Sequence, residues 1–210
     1  MVVAEMARGE WFGLDDVSDD SGGSTPRHAP PANFVRVFVL GIDPGLSRCG
    51  YGCLESRPGR TPRAVAVGVI TTPVAAPTAQ RLAELQLELR SLLEELRPEV
   101  VAVERVLFSA NVRTAISVAQ AAGLALAESV MAGCQVVEYS PNEVKQAVAG
   151  WGGAGKREVE RMVQTLVDID HPVRPADAAD AVALALCHLA RAPRLRAVAR
   201  AERAGLGVVR

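Results

Sequence analysis

Four carboxylates stand where the chain is expected to leave a strand or enter a helix. Asp43 and Glu104 each end an apolar run that predicts a buried strand. Asp177 and Asp180 are three residues apart at the start of an alanine-rich helix, a spacing that puts both on one helix face. Hard divalent cations prefer carboxylate oxygens, and a bound divalent ion can activate water against a phosphodiester. The pattern therefore predicts metal-assisted phosphodiester chemistry.

Each of these acids also has a purely structural explanation. Asp43-Pro44-Gly45 is a strong turn signal that needs no catalysis, and a glutamate at a strand end such as Glu104 is commonplace. Aspartates at a helix start cap the helix and complement its dipole. Chemistry is favoured by the occurrence of all four acids in this order on this pattern of elements.

The elements that must position these acids are predicted from periodicity and turn signals. Three strands come first, a leucine-striped helix follows, and strands and helices then alternate. The predicted strands cover 35–43, 51–55, 64–71, 100–104 and 135–139, and the predicted helices cover 79–96, 113–131, a short helix from Pro141 capped by Ser140, 156–167 and 177–190. This order predicts an α/β fold with a mixed five-stranded sheet flanked by helices. A central first strand would place Asp43 beside Glu104 on the next strand.

Composition divides the 210-residue chain into three parts. Residues 1–34, rich in Ser, Gly, Asp and Pro, predict a disordered N-terminal extension or a misplaced translation start. Residues 35–190 form the predicted domain, and residues 191–210, with six arginines and one acid, form a basic C-terminal tail. The tail either contacts DNA non-specifically or is an ordinary basic terminus. Residues 37–190 carry a net charge of −3, which looks wrong for a nucleic-acid binder, but two divalent ions on the four acids would leave 13 acids against 14 bases there, which permits DNA binding without arguing for it.

The cysteines and the hydropathy of the chain indicate its cellular compartment. Four scattered cysteines show neither a disulfide framework nor a zinc pattern. No apolar stretch reaches the roughly 18 residues of a membrane span, and no secretory signal is evident. These features predict a cytoplasmic protein with reduced thiols.

A set of short motifs runs through the predicted domain. They are Gly41-Ile42-Asp43-Pro44-Gly45, Gly50-Tyr51-Gly52, Val103-Glu104 before an Asn111 loop, Ala119-Gln120-Ala121-Ala122-Gly123, Pro141-Asn142-Glu143-Val144-Lys145, Gly155-Lys156 and Pro175-Ala176-Asp177-Ala178-Ala179-Asp180-Ala181. Together they resemble the bacterial RuvC-type Holliday-junction resolvases, from about Val37 to Leu189. The resemblance implies an RNase H-like fold, a homodimer, a branch-migration complex of the RuvA/RuvB type as partner, and magnesium-dependent cutting of four-way DNA junctions in recombination and repair.

The resemblance also implies roles for the four acids. Asp43, Glu104, Asp177 and Asp180 would be the catalytic residues and would hold two magnesium ions, for which manganese should substitute. Asp43 would bridge the ions, Glu104 would complete one shell, and the two helix aspartates would serve the other ion. Two such sites in a dimer would make paired symmetric nicks.

The chain has 23 basic residues, of which only Lys145 and Lys156 are lysines. In an arginine-biased sequence, two retained lysines suggest a need for a compact ammonium group, although chance retention is the alternative. The resemblance implies that both are catalytic and DNA-binding residues beside the scissile phosphate.

The segment after Glu104 is predicted to contact DNA. The family usually carries an aromatic residue three positions after this glutamate, where the present chain has Leu107. Either Phe108 stacks on a crossover base, or Leu107 wedges into the junction, and a core role for Phe108 is equally open. Asn111 and Arg113 are predicted phosphate contacts, with solvated loop positions as the alternative.

A helix over residues 113–131 could form a close contact between protomers, because it is rich in small residues. Burial against its own sheet is the competing explanation. The small residues are Ala119, Ala121, Ala122, Gly123, Ala125 and Ala127.

Two rival functions are weighed against nuclease activity. Gly150 to Lys156 matches the first part of a phosphate-binding loop, but Arg157 replaces the required Ser or Thr and a helix is predicted before the loop. A sugar-kinase or actin-like ATPase also has a phosphate loop near an Ile-Asp-x-Gly turn such as Ile42-Asp43-Pro44-Gly45, but those proteins need two such domains and this chain is too short. A catalytically silent module that only recognises branched DNA is the other rival.

Overall fold

The computed structural model describes residues 36–106 and 112–203, with side chains described over 36–106 and 115–193. The strands are β1 (Val37–Asp43), β2 (Arg48–Ser56), β3 (Arg63–Thr71), β4 (Val100–Glu104) and β5 (Gln135–Tyr139). The helices are α1 (Thr78–Leu96), α2 (Val112–Met131), α3 (Pro141–Ala149), α4 (Lys156–Leu166) and α5 (Ala176–Arg203). The predicted extension of residues 1–34 lies outside the described residues.

The five strands form one mixed sheet in the order β3-β2-β1-β4-β5. β1 is antiparallel to β2 and parallel to β4, and β4 is parallel to β5. The mixed five-stranded sheet predicted from the sequence is confirmed, as is the central position of its first strand. Since β1 and β4 are parallel neighbours, their carboxyl ends lie at the same edge of the sheet.

Successive residues of β1 point to opposite faces of the sheet, and each face carries its own core. Val39 packs with α3, α4 and α5 on one face. Leu40 and Ile42 pack with α1 and α2 on the other. All three side chains are fully buried, which fixes the register of β1 and hence the position of its last residue.

Helix α5 packs directly on the central strands because glycines face it. A Cβ on Gly41 would lie 1.9 Å from the carbonyl oxygen of Ala181, and one on Gly50 would lie 2.1 Å from the carbonyl oxygen of Asp177. No side chain fits at either position without moving the helix. The start of α5 is therefore held against the ends of β1 and β2.

Helix α3 begins at the predicted cap. The Ser140 hydroxyl accepts a hydrogen bond from the Glu143 amide, and the Glu143 carboxylate accepts one from the Ser140 amide. This reciprocal pair satisfies two backbone donors at the helix start, and Pro141 follows at the first helical position. The predicted capping of this short helix is confirmed.

Two element boundaries differ from the sequence predictions by three residues or more. β2 begins at Arg48 rather than at residue 51, because Arg48 and Gly50 pair with β3 and Gly50 also pairs with β1. α5 continues to Arg203 rather than ending near residue 190, and it contains Pro193. Among the described helices, none is long and apolar enough to cross a membrane.

Candidate active site

Asp43 and Glu104 meet at the carboxyl edge of the two central parallel strands. Ile42 of β1 pairs with Val103 of β4, so the residue after each turns towards the same edge. Hydrogen bonding between the two side chains raises the pKa of Asp43 and lowers that of Glu104, which favours a shared proton on Asp43. The sequence prediction that Asp43 lies beside Glu104 on the adjacent strand is confirmed.

The environment of this pair disfavours negative charge. Burial, followed by the charge of Glu104, raises the pKa of Asp43 to about 8. Burial also raises the pKa of Glu104, although its hydrogen bond from Asp43 and the charge of Lys156 lower it. Two carboxylates close together in a partly buried site cannot both ionise easily.

Asp177 and Asp180 reach this edge because α5 lies on β2. Gly50 is the β-sheet partner of Asp43, and the Asp177 backbone lies against Gly50 where a side chain would otherwise be. The charges of both helix aspartates raise the pKa of Asp43, Asp180 more than Asp177. All four predicted carboxylates therefore belong to one electrostatic cluster.

Each helix aspartate is paired with a cation. The Arg48 Nε donates to Asp177 Oδ2 at 2.8 Å, and the Lys156 Nζ donates to Asp180 Oδ2 at 2.7 Å. The hydrogen bond to Asp180 raises the pKa of Lys156. Both aspartate side chains remain 34% exposed, so the cluster is open to solvent on this side.

The carboxylates are thus paired off rather than preassembled around an ion. Asp43 pairs with Glu104, Asp177 with Arg48, and Asp180 with Lys156. Within residues 36–106 and 112–203, no group of three or more His, Cys, Asp or Glu side chains is already spaced to hold a metal ion. The oxygen donor set fits a hard divalent cation.

Sequence reasoning missed Arg48. Its only signal is its position five residues after Asp43 at the start of a strand, and nothing in that spacing indicates a partner on α5. The pairing follows from the sheet register together with the approach of α5 to Gly50. Lys156, by contrast, was predicted to lie near the acids, and the structure brings it to Asp180.

The other predicted contact residues are not joined to the cluster. Lys145 is half-buried on α3, and no hydrogen bond or ion pair of the described side chains links it to the four acids. Leu107, Phe108 and Asn111 lie outside the described residues. Arg113 lies in α2, but its side chain is outside the described set.

The glycine-rich connection before α4 is not a phosphate-binding loop of the ATPase type. Helix α3 precedes it, as the sequence predicted, where such a loop would follow a strand. The amine of Lys156 is directed to Asp180. The geometry thus links this loop to the carboxylate cluster.

The fold and its relatives define the class of protein. The sheet order and flanking helices are those of an RNase H-like fold. The structure of Thermus thermophilus RuvC in complex with Holliday junction substrate matches with a TM-score of 0.71 and 35% identity, covering 75% of this chain and 96% of that one. The yeast mitochondrial Holliday junction resolvase Ydc2 shares the fold, with a TM-score of 0.58 and 16% identity over 79% of this chain and 85% of that one.

The sequence comparisons give the family. The family model described as crossover junction endodeoxyribonuclease RuvC matches residues 39–188. The RuvC of Chloroflexus aggregans is 48% identical over 158 residues, 75% of this chain and 96% of that protein, and the RuvC of Moorella thermoacetica is 46% identical over 157 residues, 75% and 93% respectively. The chain belongs to the RuvC family of crossover junction endodeoxyribonucleases, so the resemblance noted in the sequence is confirmed.

Proposed function

We propose that this chain resolves four-way DNA junctions in recombination and repair. Acting as a homodimer, it would hydrolyse one phosphodiester in each of two opposed strands. The observation that carries the proposal is the convergence of Asp43, Glu104, Asp177 and Asp180 at one sheet edge, with Lys156 beside them. The structure of the Thermus relative in complex with a Holliday junction substrate supports the choice of substrate.

The cluster suits magnesium, with manganese as a substitute. Its donors are oxygens, and burial, followed by the charge of Glu104, raises the pKa of Asp43, so that bound cations would stabilise the ionised pair. Divalent ions supply an activated water and stabilise the departing 3′ oxygen in phosphodiester hydrolysis. We assign the four acids as the residues that would hold two such ions.

The neighbouring cations have a second role in this proposal. Arg48 and Lys156, which pair with Asp177 and Asp180 here, would be available to the DNA if those aspartates held the ions. Lys156 then neutralises the non-bridging oxygens of the scissile phosphate, where charge develops in the transition state. Lys145 is assigned the same task.

The remaining contacts follow from family membership. Leu107 or Phe108 would engage the crossover, and Asn111 and Arg113 would contact phosphates. A branch-migration complex of the RuvA/RuvB type would deliver the junction. These assignments rest on the sequence resemblance.

Exposed small residues on α2 support the homodimer. Ala121, Ala122 and Ala125 are buried against the chain's own core. Ala119, Gly123 and Ala127, spaced by four residues, are exposed on another face. Ile116 and Val130 continue this face and are 56% and 63% exposed, so a close contact with a second copy would bury apolar surface.

The test is incubation with a synthetic mobile four-way junction, with and without magnesium, and mapping of the products. We expect symmetric nicks in two opposed strands that require the metal. Asp43→Asn should abolish cleavage and keep junction binding. Cleavage by Asp43→Asn would contradict the assignment of Asp43, and binding without cleavage by the unmodified chain would favour a silent recognition module. ATP turnover by the pure protein would revive the ATPase reading.

A further inference from the structure

The loop between α3 and α4 carries an exposed aromatic side chain that the proposed mechanism does not use. Trp151 is 53% exposed, whereas Phe38, Tyr51 and Tyr139, the other described aromatics, pack into the two cores. Singly exposed apolar side chains are ordinary in proteins. Exposure alone therefore does not mark Trp151 as a binding residue, and what distinguishes it is the way in which its ring is held.

The indole ring is fixed in place by its own loop. Its Nε1 donates to Glu158 Oε1 at 3.2 Å. A Cβ on Gly153 would lie 2.2 Å from the ring atom Cζ3, so the ring lies on the Gly153 backbone. Ala154, 1% exposed, anchors the turn in the core, and its amide donates to the carbonyl of Trp151. An aromatic ring held in this way loses little conformational entropy when it binds a partner.

The same helical turn links Trp151 to the carboxylate cluster. Glu158, which accepts from the indole, is the third residue of α4, and Lys156, which donates to Asp180, is the first. Both contacts therefore depend on one turn, about 5 Å along the helix axis. The N-terminus of α4 and the exposed Arg157 add positive charge to this surface.

We propose that Trp151 stacks on an unstacked nucleobase of the junction, next to the phosphate that Lys156 contacts. Every base has an aromatic face, and an indole binds such a face without sequence preference. A four-way junction offers bases whose neighbours change at the crossover, whereas a continuous duplex keeps its bases stacked. Trp151 would thereby favour a branched substrate over an ordinary duplex. This inference rests on the proposed junction cleavage.

The first test compares variants at position 151 on a synthetic four-way junction. Loss of one base–aromatic contact should weaken junction binding and raise KM by about 5-fold to about 150-fold in Trp151→Ala. Trp151→Phe should recover most of the loss, and kcat should change less than KM. Leu87→Ala, which removes another exposed apolar side chain, is the matched control and should behave as the unmodified chain. Equal KM values for Trp151→Ala and the unmodified chain would overturn the proposal.

The second test reads the ring itself. The chain has two tryptophans, so a Trp11→Phe background leaves Trp151 as the single reporter. In EDTA, the junction should quench its emission and saturate at the same DNA concentration as a gel-shift titration. A linear duplex of the same sequence should quench it much less. Equal quenching by the duplex, or unchanged emission at saturating junction, would overturn the assignment to an unstacked base.

Two outcomes separate this inference from the function on which it rests. If the unmodified chain neither binds nor cuts junctions, the proposed function fails. If it cuts junctions, but KM does not change in Trp151→Ala and the junction does not change the emission of Trp151, only the present inference fails. Emission that is already shielded from iodide without DNA, and becomes accessible on dilution to monomers, would assign the ring to a contact between copies and contradict DNA stacking.

Discussion

At the scale of single residues, Asp43 lies in an environment that opposes its own charge. It is partly buried, it shares a hydrogen bond with Glu104, and it feels the charges of Asp177 and Asp180. The two nearby cations are bonded to the helix aspartates instead. In the absence of a divalent ion, a proton is the remaining way to relieve this repulsion.

The raised pKa of Asp43 predicts the direction in which the stability of the folded chain changes with pH. The pKa of Asp43 is raised from its ordinary 3.8 to about 8 in the folded chain, so the folded state holds this proton more tightly than the unfolded state. The stability of the metal-free protein should therefore fall as pH rises from about 4 to about 8. Asp43→Asn removes the titration and should be more stable than the unmodified chain at pH 8, by at least about 1 kcal/mol, or about 2–4 °C in Tm.

Thermal melts in EDTA between pH 5 and pH 8 measure the effect. The gap between Asp43→Asn and the unmodified chain should narrow towards pH 5 and should shrink at pH 8 when magnesium is added. Asp170→Asn, at an exposed loop position, is the control and should leave the pH dependence unchanged. If Asp43→Asn and the unmodified chain had the same Tm at pH 8, the folded structure would not disfavour the ionised form of Asp43.

The acids could be found in the sequence, but their partners could not. Asp43 and Glu104 end apolar runs, and Asp177 and Asp180 start an alanine-rich helix, so residue type and spacing were enough to place them on one edge. The pairing of Arg48 with Asp177 joins residues 129 positions apart and depends on the depth at which α5 rests on β2. Local patterns carry no information on such a depth.

At the scale of elements, α5 positions half of the cluster through its contact with glycines of the sheet. The Asp177 carbonyl occupies the space of a side chain at Gly50. The neighbouring Gly52 has Val182 of the same helix in its side-chain position. The small residues of the strand thus allow α5 to bring its two aspartates to the cluster.

Gly50→Ala should separate the helix from the strand. The new Cβ would lie 2.1 Å from a backbone oxygen that cannot rotate away, so α5 must move. We expect a loss of about 1–3 kcal/mol in the free energy of unfolding and at least about a 100-fold loss of cleavage, since small misplacements of catalytic groups are costly. Junction cleavage by folded protein, checked by circular dichroism, measures this.

Gly68→Ala is the matched substitution in the same sheet. Its Cβ would meet the Tyr51 hydroxyl end rather than the backbone of α5, so it tests destabilisation without displacement of the acids. It should lose stability and retain cleavage. If both variants lose cleavage equally, the effect of Gly50→Ala would be general unfolding rather than displacement of Asp177.

Element boundaries were predictable where a long apolar pattern defined them. Strands β4 and β5 agree with the sequence predictions residue for residue, and α1 begins one residue earlier. The start of β2, Arg48-Cys49-Gly50, was missed because a charged residue and a glycine do not look like strand residues without their cross-strand partners. The extension of α5 was missed because a proline such as Pro193 normally ends or kinks a helix. The Ala, Leu and Arg residues around Pro193 favour helix, and the helix continues through it.

At the scale of the whole molecule, the proposed resolution of a four-way junction needs two matched cuts, and one carboxylate cluster would make only one of them. A two-fold dimer supplies a second cluster in a fixed relation to the first. The exposed face of α2 formed by Ala119, Gly123 and Ala127 has the small side chains that allow two helices to approach closely. Paired nicking and this face should therefore depend on each other.

Gly123→Glu tests that dependence. Apart from the helix's own backbone, no atom of the described residues lies within 4 Å of a Cβ at this position, and glycine is a poor helix residue, so the protomer should fold at least as well as before. A charged side chain in a close helix contact should prevent association. Light scattering should then give the monomer mass of 22.1 kDa, and a mobile junction should yield single nicks rather than paired ones.

Ser91→Glu, at an exposed position of α1, adds the same charge elsewhere and should change neither property. Paired nicks from a monomeric Gly123→Glu chain would contradict the two-site argument, whereas an unchanged dimer would place the protomer contact on another face.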